Sequence, residues 1–235
     1  MPFESIEALN QVIINCERCP RLREYCNQIG LVKRKAYRDQ VYWTKPVPGF
    51  GDPQARILIV GLAPGAHGSN RTGRMFTGDR SGDFLYAALY RAGLCSQPET
   101  IAPGDGLTLN GVYITAVCRC APPGNKPQPD EQENCRPYLE AELDLLVNVE
   151  TILCLGKIAF DQMLRLLPAR GQLWNGPRPA FGHGVEYQVG KYNLAASYHP
   201  SQQNTQTGRL TVAMMDRILQ ELLLRRTRST QILVE

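Results

Sequence analysis

Arg56-Ile57-Leu58-Ile59-Val60-Gly61-Leu62-Ala63-Pro64-Gly65-Ala66-His67-Gly68 is an apolar run that breaks abruptly into glycines. The strand expected over 56–61 has an aliphatic core, Ile57-Leu58-Ile59-Val60, without polar alternation, the pattern of a strand buried on both faces. The glycines that follow free the backbone for a sharp turn. Three more runs share this character, at 112–117, 151–155 and 193–198. Helical spacing predicts helices over 81–92, 130–147, 157–167 and 209–226, the last with Leu210, Ala213, Met214, Ile218 and Leu222 on one stripe. A further helix over 5–15 precedes them all. Strands alternating with helices define an α/β class, here three α/β/α layers around a mostly parallel four-stranded sheet. Residues 26–52 and 97–110 lack periodicity and are expected to be irregular, and the tail beyond 226 is expected to fray.

With 235 residues, 43% apolar and 20% charged, the chain suits a single domain over 1–235. Its first residues lack the basic and apolar regions of an export signal, and the longest apolar run, 57–66, is too short to cross a bilayer. A monomeric cytoplasmic, nucleoid-associated protein is expected, with no membrane partner. The net charge of +4 permits a polyanionic partner without demanding one. No motif for a protein partner such as a sliding clamp is visible.

Parallel strands place the loops that follow them at one edge of the sheet, where open α/β folds bind ligands. Those loops, 61–78, 118–126, 156–159 and 199–207, hold most of the unusual residues. The glycine-rich loop lacks the G-K-[ST] of a phosphate-binding loop and the G-x-G-x-x-G of a dinucleotide site. Its neighbours give it meaning. Phe76 offers a flat face for stacking, Asp79 a carboxylate, Asn125 an amide and His199 an imidazole. Each has a plainer reading: Phe76 as core, Asp79 as the cap of the helix near Ser81, Asn125 as a turn former, His199 as a structural histidine.

Cysteines supply the second constellation. Cys16 and Cys19 form a C-x-x-C pair, and Cys120 and Cys135 stand at the ends of a proline- and glycine-containing turn that leads into a helix. Four thiolates gathered in a reducing compartment suit a [4Fe-4S] cluster or a structural zinc rather than disulfides, and spacing leaves the two metals open. Cys118 is an alternative to Cys120, whereas Cys26, Cys95 and Cys154 read as buried, unligated thiols.

Three separated stretches, residues 61–79, Cys120-Ala-Pro-Pro-Gly-Asn125 and His199-Pro-Ser-Gln-Gln-Asn204, resemble the signatures of the iron-sulfur uracil-DNA glycosylases, in particular the family 5 (type b) branch. With the cysteines, the resemblance extends over roughly Cys16 to Thr211. It implies a monofunctional DNA-repair hydrolase that cleaves the N-glycosidic bond of uracil and other deaminated bases in DNA, with [4Fe-4S] on Cys16, Cys19, Cys120 and Cys135. It further implies that Phe76 stacks on the extruded base and that the backbone of Gly61, Ala63, Gly65, Ala66, His67 and Gly68 lines its pocket. His199 would contact the base carbonyl, Asp79 would take part in catalysis, and Asn125 would lie nearby. Ser201 would grip phosphate. Ser69, Arg71, Gln203, Asn204, Gln206 and Arg209 are the remaining candidates for DNA contact, those of 202–209 as a wedge in the vacated stack. The sequence departs from the wider superfamily in two places: Leu62 and Ala63 replace an early acidic or amide residue, and Ala116 stands where uracil-strict relatives carry an asparagine. Loss of that amide predicts relaxed base specificity that extends to hypoxanthine and xanthine. Two rival readings are a non-enzymatic, metal-stapled nucleic-acid-binding protein and a hydrolase of small phosphorylated nucleotides.

Overall fold

The computed structural model describes residues 3–232, with side chains up to Leu224. The four apolar runs form strands β2 (Ile57–Gly61), β3 (Val112–Ala116), β4 (Thr151–Leu155) and β6 (Tyr192–Ser197), mutually parallel in the order β3-β2-β4-β6. The sheet has six strands rather than four. Two antiparallel edge strands, β1 (Phe50–Gly51) against β3 and β5 (Glu186–Val189) against β6, close its sides. A two-residue strand and a four-residue half-exposed one are too short to leave a periodic signal.

Helices α4 (Arg80–Arg91), α5 (Pro129–Leu145), α6 (Lys157–Ala169) and α8 (Val212–Ile232) cover both faces, and α1 (Ile6–Ile14) stands outside α5. Leu58, Val60, Ile152, Cys154 and Leu194 pack with Leu139, Leu143, Phe160 and Met163 on one face. Ile57, Ile59, Ile114, Leu153 and Ala195 meet Leu85, Leu89, Met215 and Leu219 on the other. Alternate residues of each strand thus serve opposite cores, which is why the strands are mainly apolar on both faces. Helix α8 begins later than expected because the Thr211 hydroxyl accepts the Met214 N–H at 3.3 Å, starting the helix behind buried Leu210. It continues through Ile232, past the expected fraying point, and residues 233–235 lie outside the described ones.

The stretch expected to be irregular between residues 26 and 52 contains the end of a helix, α2 (Pro20–Val32), then a 3-10 turn, Lys35–Tyr37, and β1. Proline at the first helical position starts α2. Arg21 pins it to α5 through two 2.7 Å bonds to Glu131, whose carboxylate also accepts the N–H of Gln128 just before α5. No described helix is long and apolar enough to cross a membrane.

Candidate active site

The parallel register sets Gly61 beside Ala116 and Leu155 beside Ser197, so the chain leaves all four central strands at one edge. The glycine loop there folds through a short helix, α3 (Ser69–Thr72), before entering α4. Asp79 is the residue that precedes α4, and its two oxygens have different surroundings. Oδ1 accepts the N–H groups of Ser81 at 3.0 Å and Gly82 at 3.1 Å, capping the helix. Oδ2 has no hydrogen-bond partner among the described residues and lies over the glycine loop, where a methyl on Gly65 or Gly68 would stand 2.6 or 2.0 Å from it. Burial raises the Asp79 pKa, while the two capping N–H groups oppose the shift. The capping role is therefore real, and it leaves one carboxylate oxygen for chemistry.

Phe76 reaches this edge through a backbone held at φ 52°, a left-handed conformation rare for an aromatic residue. Such a conformation costs about 1–3 kcal/mol unless its surroundings impose it. Here they do. Gly82 lies so close that a side-chain carbon on it would strike the Phe76 carbonyl at 1.7 Å, and the buried Tyr86 hydroxyl donates to the Met75 carbonyl at 2.9 Å. Gly61 gives the Phe76 ring its space, since a methyl there would stand 2.9 Å from ring carbons.

His199 follows β6, and its ring is 5.9 Å from that of Phe76, centroid to centroid, with the planes 30° apart. Burial lowers its pKa to about 4, so the ring is neutral near pH 7 and acts as an N–H donor without net charge. Its carbonyl accepts from the Asn204 amide at 2.9 Å, and the Ser201 hydroxyl accepts the Asn204 N–H at 3.3 Å, which starts helix α7 (Gln202–Gln206). The N–H groups of Ala66 and His67, within the glycine loop, make no backbone hydrogen bond among the described residues.

Among the other candidates, Ala63 and Ser201 are half-buried at the edge, while Gln203, Gln206 and Arg209 are exposed on and after α7, with Arg209 stacked on Tyr198 at 4.6 Å. Asn125 stands on an exposed 3-10 turn, Pro123–Asn125, and forms no hydrogen bond with Asp79 or His199. Ser69 is buried at 2% exposure. Arg71 is a brace: it lies 4.0 Å over the Tyr37 ring and donates to the carbonyls of His67 at 2.8 Å and Gly78 at 2.7 Å and to Gln40 at 2.5 Å. Three of its five N–H donors are thus committed inside the chain, which makes Arg71 first a support of the loop. Sequence reasoning missed that brace and its partners in 37–43, including Tyr42, whose hydroxyl meets His67 Nδ1 at 3.0 Å. The distance in sequence left no local signal.

The cysteines gather at the far side of the 118–128 loop. Cys19, Cys120 and Cys135 are buried and Cys16 is half-buried, and α2 adds Cys26 beside Cys120. The neighbouring Cys118 thiol holds Cys135 below the ordinary thiol value against the effect of burial, and the neighbouring Cys120 thiol does the same for Cys26, whose Sγ also donates to the Ala121 carbonyl at 3.6 Å. Burial, with the nearby charges of Cys135 and Cys16, raises the Cys19 pKa. The donors are soft sulfurs in one neighbourhood, chemistry that fits an iron-sulfur group. As placed, no three His, Cys, Asp or Glu side chains among the described residues close around a metal position. Cys26, read from sequence as a bystander, belongs to this neighbourhood.

An aromatic face, a neutral imidazole and a single free carboxylate oxygen at the carboxyl edge of a parallel sheet suit the capture of a flat heterocycle and the stabilisation of charge on it. The chain belongs to the uracil DNA glycosylase superfamily, whose family model matches residues 48–223. It is 52% identical to the type-5 uracil-DNA glycosylase of Mycobacterium bovis over 92% of this chain and 80% of that protein. It is equally similar, at 52%, to the type-5 enzyme of Thermus thermophilus over 92% of this chain and 95% of the relative. A type-4 uracil-DNA glycosylase of Pyrobaculum aerophilum is 31% identical over 83% of both chains.

The packing of Asp79 against Gly68 gives a direct expectation. Gly68→Ala should push the carboxylate aside and lower base release about 10²-fold, the usual cost of ångström-scale misplacement. A single-turnover assay beside a melting curve checks it, and an unchanged rate would show that the Oδ2 position is immaterial.

Proposed function

We propose that this chain is a monofunctional uracil-DNA glycosylase of the type-5 (type b) branch. The observation that carries the reading is one sheet edge holding both the paired Phe76 and His199 rings and, over the glycine loop, the free Asp79 Oδ2. A base in a duplex is out of reach, so it must be extruded, at a cost of a few kcal/mol that is lowest for mismatched pairs. Uracil opposite guanine is therefore a favoured substrate. Phe76 stacks on the flipped base, and the exposed polar side chains of Gln203 and Gln206 fill the gap. As the glycosidic bond breaks, electrons move onto the base and positive character onto the sugar. The neutral His199 N–H and the Ala66 and His67 amides hold the departing anion. Asp79 Oδ2 orients the attacking water or stabilises the sugar cation. No lysine lies within 61–79 or next to His199 in sequence, and Lys157, which follows the Gly156 packed on His199, pairs its ammonium with Asp161, so hydrolysis is favoured over the Schiff base of a lyase.

Ala116, buried at the end of β3 beside Gly61, offers no amide to read a pyrimidine edge. The pocket therefore accepts hypoxanthine and xanthine as well as uracil. In the same reading Cys16, Cys19, Cys120 and Cys135 hold a [4Fe-4S] cluster. That cluster supplies cross-linking of α2, α5 and the 118–128 loop rather than chemistry on the base.

Duplex oligonucleotides with uracil, hypoxanthine or xanthine, cut by alkali at abasic sites, test the activity, and a free nucleotide run in parallel tests the rival hydrolase. Release from DNA alone supports the proposal, and turnover of the nucleotide alone refutes it. The cluster predicts brown protein with a broad absorbance near ~400 nm, lost in Cys135→Ser. Colourless protein carrying stoichiometric zinc would overturn the cluster.

A further inference from the structure

Residues 33–45 carry five cations, Lys33, Arg34, Lys35, Arg38 and Lys45, against one carboxylate, Asp39. The segment is bound along its inner side to the glycine loop. Trp43 and Thr44 donate their N–H groups to the carbonyls of Arg71 and Asn70 at 2.9 and 3.0 Å. Tyr42 meets His67, and Tyr37 and Gln40 meet Arg71, which in turn holds the carbonyl of Gly78 next to Asp79. Its outer side is different. Arg34, Lys35 and Arg38 are all exposed, and none has an ion-pair partner among the described residues. Lys33 is excluded from this set because its ammonium donates to the Arg38 carbonyl at 3.2 Å.

His67, on the glycine loop, is held below the ordinary imidazole value first by burial and then by the charges of Arg34 and Arg71. Arg34 is thus close enough to act on the loop that carries the site. Three exposed like charges without ion-pair partners among the described residues give this face a positive potential that attracts a polyanion.

We infer that the outer face of this strap, Arg34, Lys35 and Arg38, is a phosphate-binding surface that grips the DNA backbone beside the extruded nucleotide. The inference rests on the glycosylase reading for its ligand. Phosphate contacts position a protein without reading sequence, and each one released as counterions contributes a slope of about 0.9 in log K against log salt. The surface therefore adds affinity and register and leaves bond cleavage to the pocket.

The test measures binding of the full chain to a duplex with one uracil-guanine pair across a salt series, with Arg34→Glu/Lys35→Glu/Arg38→Glu as the variant. The expected result is a salt slope lower by about two to three, a Kd at least about tenfold weaker at ~0.1 M salt, an unchanged melting temperature and an unchanged single-turnover rate at saturating enzyme. Lys35→Glu alone should give about a third of the slope change. Lys191→Glu, at the amino-terminal end of β6, should give none. A triple variant whose Kd and slope match the unmodified chain overturns the inference, as does an equal effect from Lys191→Glu. If the unmodified chain releases no uracil, the glycosylase reading fails instead, because the binding measurement needs no catalysis.

Discussion

Asp79→Asn is expected to slow uracil release about 10²- to 10⁴-fold, the range associated with loss of a positioned acid–base group, and to leave duplex affinity within a few-fold of the unmodified chain. The prediction is selective because the two oxygens of Asp79 have separate roles. Asparagine is as good a helix cap as aspartate, so the bonds to Ser81 and Gly82 survive and the melting temperature should hardly move. Only the negative charge over Gly65 and Gly68 is lost. Asp79→Ala removes the cap as well and should cost about 1 kcal/mol of stability in addition. Since burial raises the pKa of Asp79, the unmodified enzyme should lose activity on acidification with an inflection above the ordinary carboxylate value of 3.8. Equal losses of binding and release in Asp79→Asn would remove Asp79 from the chemistry.

His199→Leu is expected to cost about 10²–10³ in rate, the range for one donor aimed at a developing anion. It should also change the pH dependence of stability. With a folded pKa of about 4 against an unfolded value near 6.5, the unfolded chain binds the proton more readily. Stability therefore rises as pH rises from about 4 to about 6.5 and falls as the solution is acidified through that window. The linked change is on the order of 2–3 kcal/mol. Leucine cannot titrate, so the variant should lose that slope while keeping the apolar contact with Phe76. Urea melts at pH 4.5 and 7 check this: a stability difference as large in the variant as in the unmodified chain would show that His199 is not the group responsible.

The four central strands were legible because both faces of the sheet are covered, which makes each run mainly apolar with no polar alternation. Helix α2 was not. Apart from Leu22 and Cys26 it presents Arg21, Arg23, Glu24, Tyr25 and Asn27, so its buried side is too narrow to read as a stripe. Asp79, Phe76 and His199 could be placed in advance because loops after parallel strands must share an edge. The role of Arg71 could not, since its partners Tyr37 and Gln40 come from a strap more than 30 residues earlier and meet it only after folding. A lone arginine in a glycine loop reads from sequence as a phosphate ligand, and its sequence neighbours give no sign of the three bonds it makes inside the chain. Cys26 is the buried free thiol its sequence suggested, but its place beside Cys120 had no local signal, because only the packing of α2 on the 118–128 loop brings the two together.

The measurement that bears most directly on the pocket is single-turnover uracil release from a uracil-guanine duplex by the unmodified chain and Asp79→Asn side by side, with duplex affinity recorded for both. Alkali-labile abasic sites formed rapidly by the first and at least about a hundredfold more slowly by the second, at near-equal affinity, are the predicted result. Purified protein that binds the duplex yet leaves every uracil attached would contradict it.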